Sequence, residues 1–289
     1  MKDLTLISSD VQSQTDHSLM GLQWVGMGQI QSACLIHNYN VPCFLDIGVN
    51  LKSGYRGIHM SRLYQAHLDF FLQQSLSSEN LKKFLTTALK SQENISTEIT
   101  AKLNLQYPMK TQSLKSMRAG FRNYPVQIIA TQTEEEIKLQ NWLRFEVLYS
   151  STCPQSASLS MEMLNSLQQI PATLPGTPHA QRSRAVISLK LEEISDLIVE
   201  KLISEVENLL KTPVQTVVKK ADEMEFARLN AENLMFCEDA VRSIATGLLK
   251  YPSIFGFSIF CEHQESLHPH NASSFFQHHW LPPQNLNFS

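Results

Sequence analysis

Two periods alternate along this chain, and the order in which they alternate is repeated. Residues 21–36 are apolar with small-residue interruptions, and Phe44-Leu-Asp-Ile-Gly-Val-Asn-Leu51 alternates apolar with polar. Both patterns predict strands, because successive side chains of a strand point to opposite faces. Helical stretches follow at about 60–74 and 78–92, the second with Ser78 as N-cap ahead of Leu81, Phe84, Leu85 and Leu89. Strand patterns return at about 99–106 and 121–131. The succession then recurs. Leu139–Ser150 and Arg184–Leu191 read as strands. Residues 193–211 carry a helical stripe of Ile194, Leu197, Ile198, Leu202, Val206, Leu209 and Leu210. A second helix runs from about Glu232 to Lys250, and strands close the unit at about 253–262 and 273–280. The prediction is an α+β chain of two tandem β-β-α-α-β-β units, over 1–133 and 134–289, with antiparallel sheets and helices on one face.

Two segments fall outside both periods. Residues 151–182 hold Thr-Cys-Pro-Gln, a Ser-rich stretch and Pro171-Ala-Thr-Leu-Pro-Gly-Thr-Pro178, all turn formers. They read as a long connection, of the kind that is usually functional or partly disordered. The residues after about Gln277 read as a tail.

Composition narrows the function classes. The 289 residues are 43% hydrophobic, enough for a substantial core, and the net charge is −3. No global basic field recruits nucleic acid or an anionic membrane, so an anionic ligand needs a local cluster of Lys and Arg. The five cysteines, Cys34, Cys43, Cys153, Cys237 and Cys261, are odd in number, irregular in spacing and without a CxxC pair. The N-terminal residues lack a continuous apolar stretch, and no run approaches the roughly 18 apolar residues that cross a bilayer. A reducing cytoplasm is the expected location.

Several residues carry chemistry. Cys153 opens the long connection directly after a strand, and His179 stands at its other end. A thiol there is a nucleophile, a metal ligand or an ordinary loop residue, and with His179 it makes a half-site for zinc. Glu223 falls in Lys219-Lys-Ala-Asp-Glu223, between the two helices of the second unit, where a carboxylate is most often solvated. Glu238 lies between Leu234 and Val241 on the apolar stripe, where it needs donors, whether from a ligand or from Arg242. The segment Cys261-Glu-His-Gln-Glu-Ser-Leu-His-Pro-His-Asn-Ala272 concentrates histidines and glutamates at a strand end, able to bind metal or exchange protons. His278-His279 reads as surface decoration. Arg56-Gly-Ile-His-Met-Ser-Arg62 joins a strand to a helix, either as a phosphate-holding helix start or as an ordinary capped entry.

Taken together these pieces resemble the type IB GTP cyclohydrolase family, a tunnelling-fold group. The matching segments are Asp10-Val-Gln-Ser13, Trp24-Val-Gly26, Arg56–Arg62, Cys153-Pro154, His179-Ala-Gln-Arg-Ser183, Lys220-Ala-Asp-Glu223, Glu238-Asp-Ala-Val-Arg242 and Glu265-Ser-Leu-His-Pro-His270. The resemblance implies a tandem tunnelling fold assembling into a multimeric barrel, as a homotetramer with sites at subunit interfaces. It implies a divalent metal (zinc, manganese or ferrous iron) held by Cys153, His179 and Glu223. It implies guanine recognition by Glu238, whose carboxylate can accept two N–H bonds, and proton transfer by His268 with Glu265 and His270. His59, Arg62 and Arg182 are candidate substrate contacts, and Lys115, Arg118 and Arg184 are further candidates for the triphosphate. The implied reaction converts GTP and water to 7,8-dihydroneopterin triphosphate and formate, the first step of folate and pterin synthesis. The alternatives are an archaeal-type enzyme with a cyclic phosphate product and a lapsed purine- or pterin-binding scaffold. The chain departs from the family pattern at Gln155, where a second cysteine is usual, at Ala221, where a proline is usual, and in its long 154–178 connection.

Overall fold

In the computed structural model, which describes residues 12, 14–71, 74–135, 139–169, 173 and 176–283, eight strands form one antiparallel sheet in chain order. They are β1 Leu22–Ile36, β2 Tyr39–Leu51, β3 Glu98–Gln112, β4 Ala119–Thr133, β5 Gln140–Thr152, β6 Ala180–Leu191, β7 Ile254–His263 and β8 Ala272–His278. The helices are α1 Met60–Phe71, α2 Ser78–Lys90, α3 Pro154–Ser166, α4 Asp196–Leu210, α5 Lys220–Glu232 and α6 Cys237–Leu248. Four strands precede residue 134 and four follow it, and β4 pairs with β5 (Val126 opposite Phe145, Ile128 opposite Leu143) so that all eight form a single sheet. The second half has four helices, α3 to α6, where two were expected.

The period-two pattern explains the sheet's buried face. Leu45, Ile47 and Val49 of β2, Ile99, Leu103 and Tyr107 of β3, and Tyr124, Val126 and Ile128 of β4 all point to it. Phe145, Val147 and Tyr149 of β5, Ile187 and Leu189 of β6, and Phe257, Ile259 and Cys261 of β7 continue the same layer. Amphipathic helices cover that face. α2 buries Leu81, Phe84, Leu85 and Leu89, α4 buries Val199, Leu202, Ile203 and Val206, and α6 buries Ala240, Val241, Ile244 and Leu248. Burying each Leu, Ile, Val or Phe among them contributes about 1.5–3 kcal/mol. The opposite face is more polar, with Lys102 paired to Asp46 at 2.9 Å.

Four expectations are corrected. The long connection after Cys153 contains a helix, α3, none of whose residues is fully buried. Glu223 is not in a turn between helices but on α5, whose only fully buried residue is Asp222. α2 is capped by Ser77, whose hydroxyl accepts the Asn80 N–H at 3.2 Å, one residue before the expected cap. The segment after Gln277 is no free tail as far as Pro283: β8 runs to His278, and the Trp142 indole N–H donates to the Leu281 carbonyl at 3.0 Å. Asp10, Val11 and Ser13 of the first matching motif lie outside the described residues, as do parts of 171–178.

Candidate active site

The end of the β5–β6 pair opens where a hairpin would normally close it. The Cys153 N–H donates to the His179 carbonyl at 3.1 Å, so the two residues that flank the connection remain paired. Cys153 is also the N-cap of α3. Its Sγ accepts from the Ser156 N–H at 3.5 Å, and Pro154 occupies the first turn, where a missing N–H costs nothing. The sulfur is thus fixed at a strand end and half-buried rather than used as core filler. Ser156 also fixes the other side, its hydroxyl accepting the His179 N–H at 3.2 Å.

A cavity of about 380 Å³ occupies this opening, lined among others by Cys153, His179, Gln181, Glu265, His268 and His270. Three separate stretches supply those residues: the end of β5, the start of β6 and the β7–β8 connection. His179 Nδ1 is 3.1 Å from Gln181 Oε1 and 3.7 Å from Glu265 Oε2. The His268 and His270 rings stack at 5.1 Å with 12° between their planes, and both are exposed at the mouth. The floor is polar and buried. Gln181 Nε2 donates to Ser151 Oγ at 2.8 Å, and Ser151 Oγ lies 2.7 Å from Ser183 Oγ. Polar groups buried this deeply are costly unless bonded, and here they bond one another.

One floor residue is marked in the sequence only as a member of the histidine-rich Cys261–Ala272 segment. His263 ends β7 opposite Ser183, is 3% exposed, and has Nε2 at 2.9 Å from the Tyr149 hydroxyl. Burial pushes its pKa down to about 4, while the charges of Glu238 and Asp239 pull it weakly upward. Tyr149 is fully buried, and burial pushes its hydroxyl pKa well above the usual phenol range. The available signal was parity, since His263 continues the inward positions of Phe257, Ile259 and Cys261.

The remaining candidates lie elsewhere. Glu223 lines a second cavity, of about 370 Å³, with Arg182, Ser150 and Phe226. Ser150 and Arg182 are cross-strand partners one position away from Ser151 and Gln181, and so face the other side of the sheet. Among the described residues no three His, Cys, Asp or Glu side chains group as metal ligands. Glu238 is exposed in the first turn of α6 with Oε2 at 3.3 Å from Cys237 Sγ, and Arg242 pairs instead with Asp239 at 3.2 Å. The stripe that was to bury Glu238 begins only at Cys237, because Leu234 precedes the helix and is 39% exposed. His59 and Arg62 belong to the first unit. The His59 backbone is held by Gln92, and the Arg62 guanidinium donates to the Ser91 carbonyl at 3.0 Å. Lys115 pairs with Glu225 at 3.3 Å, Arg118 is exposed, and Arg184 lies between Glu146 and Glu262.

A family model described as type I GTP cyclohydrolase folE2 matches residues 9–274. The GTP cyclohydrolase FolE2 of Pseudoalteromonas translucida (strain TAC 125) is 37% identical over 276 residues, 87% of this chain and 90% of that protein. The protein of the same description from Citrobacter koseri (strain ATCC BAA-895 / CDC 4225-83 / SGSC4696) is 37% identical over 301 residues, 96% of this chain and 99% of its own length. Among solved structures, a uricase from Bacillus fastidious superposes with a TM-score of 0.53 at 8% identity, over 89% of this chain and 92% of that one. At that identity the likeness concerns the fold alone. The sequence relationship goes further, and the chain belongs to the type I GTP cyclohydrolase family represented by FolE2.

Proposed function

We propose that this chain uses water to open the imidazole ring of GTP in the cavity at the β5–β6 opening, giving 7,8-dihydroneopterin triphosphate and formate. The observation that carries the location is the convergence of Cys153, His179, Glu265, His268 and His270 on one space from three separate stretches of chain. That mixture of thiol, imidazole and carboxylate has no packing role, and general acid–base hydrolysis uses such groups.

A thiol and an imidazole on one cavity fit a borderline cation such as zinc, manganese or ferrous iron. Glu223 does not complete the set as it stands, since it opens onto the other cavity. It would join Cys153 and His179 from a second copy, which accords with a tunnelling-fold homotetramer whose sites form between subunits. Such an ion would supply a Lewis acid that makes water nucleophilic near neutral pH. The protein groups have separate tasks. His268, exposed at the mouth, exchanges protons with bulk water and serves the nitrogen that leaves as the ring opens. Glu265, beside His179, holds that ring in place. Glu238 receives the guanine N–H groups, and being exposed it serves either its own cavity or that of a neighbouring subunit. Arg182, His59 and Arg62 line no part of the Cys153 cavity in the single chain, so phosphate contacts from them also call for assembly. Five free cysteines and the absence of any membrane-length apolar helix among the described residues agree with a cytoplasmic protein.

The test is direct. Purified chain supplied with Mn²⁺ or Zn²⁺ and GTP should release formate, with the pterin triphosphate identified by mass spectrometry. A cyclic phosphate product would place it with the archaeal-type enzymes. Binding of GTP without formate release would leave a purine-binding scaffold instead.

A further inference from the structure

The cavity floor contains a histidine for which the reaction as described has no use. His263 is 3% exposed and lies in the parity of a core strand, yet it lines the same space as Cys153, His179 and His268. A Leu or Val would fill that position without the cost of burying a polar ring. The ring is also held rigidly. Its Nε2 lies 2.9 Å from the Tyr149 hydroxyl, and the two rings meet edge to face at 5.7 Å and 73°. Among the described residues its Nδ1 has no hydrogen-bond partner, and the residue lines the cavity.

The direction of the Tyr149 contact sets which edge carries the proton. The phenol stays protonated, because its burial disfavours the phenolate. It has one proton to donate and two neighbours to receive it, His263 Nε2 and the Cys261 thiol. An imidazole nitrogen is the stronger acceptor of the two, sulfur being a weak one. With Nε2 accepting from Tyr149, a neutral His263 carries its hydrogen on Nδ1. The ring is kept neutral by burial, while the cavity groups Glu265, His179 and His268 and the nearby Glu238 and Asp239 are the charges it could answer to. A neutral donor suits a neutral heteroaromatic acceptor better than a charged residue would, because no second charge is desolvated.

We infer that His263 is a substrate-contacting residue, donating from Nδ1–H to an acceptor atom of the bound purine, and that Tyr149 is a positioning residue that fixes its tautomer. This rests on the reading that the Cys153 cavity holds the base of GTP. A site built around a hydrogen bond discriminates through it, since a mismatch leaves a buried donor unpaired. The contact exists before and during ring opening, so it contributes to binding more than to the chemical step.

The experiment compares Tyr149→Phe, His263→Leu and His263→Asn in the full-length, metal-loaded protein, with steady-state formate release from GTP as readout and thermal midpoint and metal content as controls. His263→Leu should raise KM on the order of 30-fold with kcat within about twofold. Tyr149→Phe should raise KM on the order of tenfold by freeing the tautomer. His263→Asn, which returns an N–H near the Nδ1 position, should recover most of the loss. Unchanged KM in Tyr149→Phe and His263→Leu, or an Asn variant no better than Leu, would overturn the assignment. If His263→Leu does not fold, Tyr149→Phe decides alone. A wild-type protein that neither binds nor hydrolyses GTP removes the broader reading along with this one. An active wild type with unaffected variants removes only this one.

Discussion

The first strand pair of each half, β1–β2 and β5–β6, begins in the same way and ends differently. β1 and β2 close on His37 and Asn38, both in the left-handed region with φ of 46° and 68°, the signature of a tight two-residue hairpin. Inside that turn the inward positions are Cys34, Ile36, Val41 and Cys43, all buried and mostly apolar. β5 and β6 occupy the corresponding place in the second unit, but α3 is inserted between them. The inward positions beside that opening are Ser151, Gln181 and Ser183, equally buried and polar. One scaffold thus carries mostly apolar inward positions beside the closed hairpin and polar ones beside the open end. The polar layer is tolerated because its members bond to one another and to His179.

That contrast can be broken by substitution. Cys153→Ala or His179→Ala should lower formate release on the order of a thousandfold and reduce bound metal, with circular dichroism unchanged. Unchanged metal content in both variants would remove the open end as the reactive one. In the closed half, Leu45→Ala, at a fully buried position of β2, should cost about 3 kcal/mol in urea unfolding and leave KM for GTP alone. If it instead abolished activity without loss of stability, the division of labour between the halves would be wrong.

Acid sensitivity sharpens the comparison. The folded chain holds His263 at a pKa of about 4, below its ordinary 6.5, so the unfolded chain takes up the proton first. Its contribution is complete above the ordinary value and is lost as pH falls from 6.5 towards 4, by about 3 kcal/mol at most. His67 in the first unit is also lowered by burial, so some acid loss is common to both halves. Urea midpoints at pH 7 and pH 5 should show a smaller decline for His263→Asn than for the wild type. Smallest of all, Leu159→Ala on α3, at a side chain 53% exposed, should change stability by no more than about 0.5 kcal/mol.

The two halves also differed in how well the sequence announced them. Strands and the covering helices were legible because each buries one face, and burial imposes a period. α3 and α5 bury almost nothing, so their apolar residues follow no stripe. Leu159, Met161 and Met163 are all about half exposed, and the turn-forming composition around them pointed to a loop. Within the site, Cys153, His179, Glu265, His268 and His270 were marked by residue type and by the family motifs. Their meeting in one cavity was not, because it depends on the β5–β6 and β6–β7 registers. Glu238 was read as buried because Leu234 looked like part of the helix stripe. His263 stands out in the sequence only as part of the histidine-rich segment; its burial follows from β7 running one residue past the expected strand end.

The central claim is that the reactive centre lies where the β5–β6 hairpin opens, with Cys153 and His179 as its metal-binding pair. Anomalous scattering from crystals grown with Zn²⁺ or Mn²⁺ tests it most directly. The account predicts a peak at bonding distance, about 2.0–2.3 Å, from Cys153 Sγ and a His179 ring nitrogen. A bound ion that touches neither side chain would contradict it.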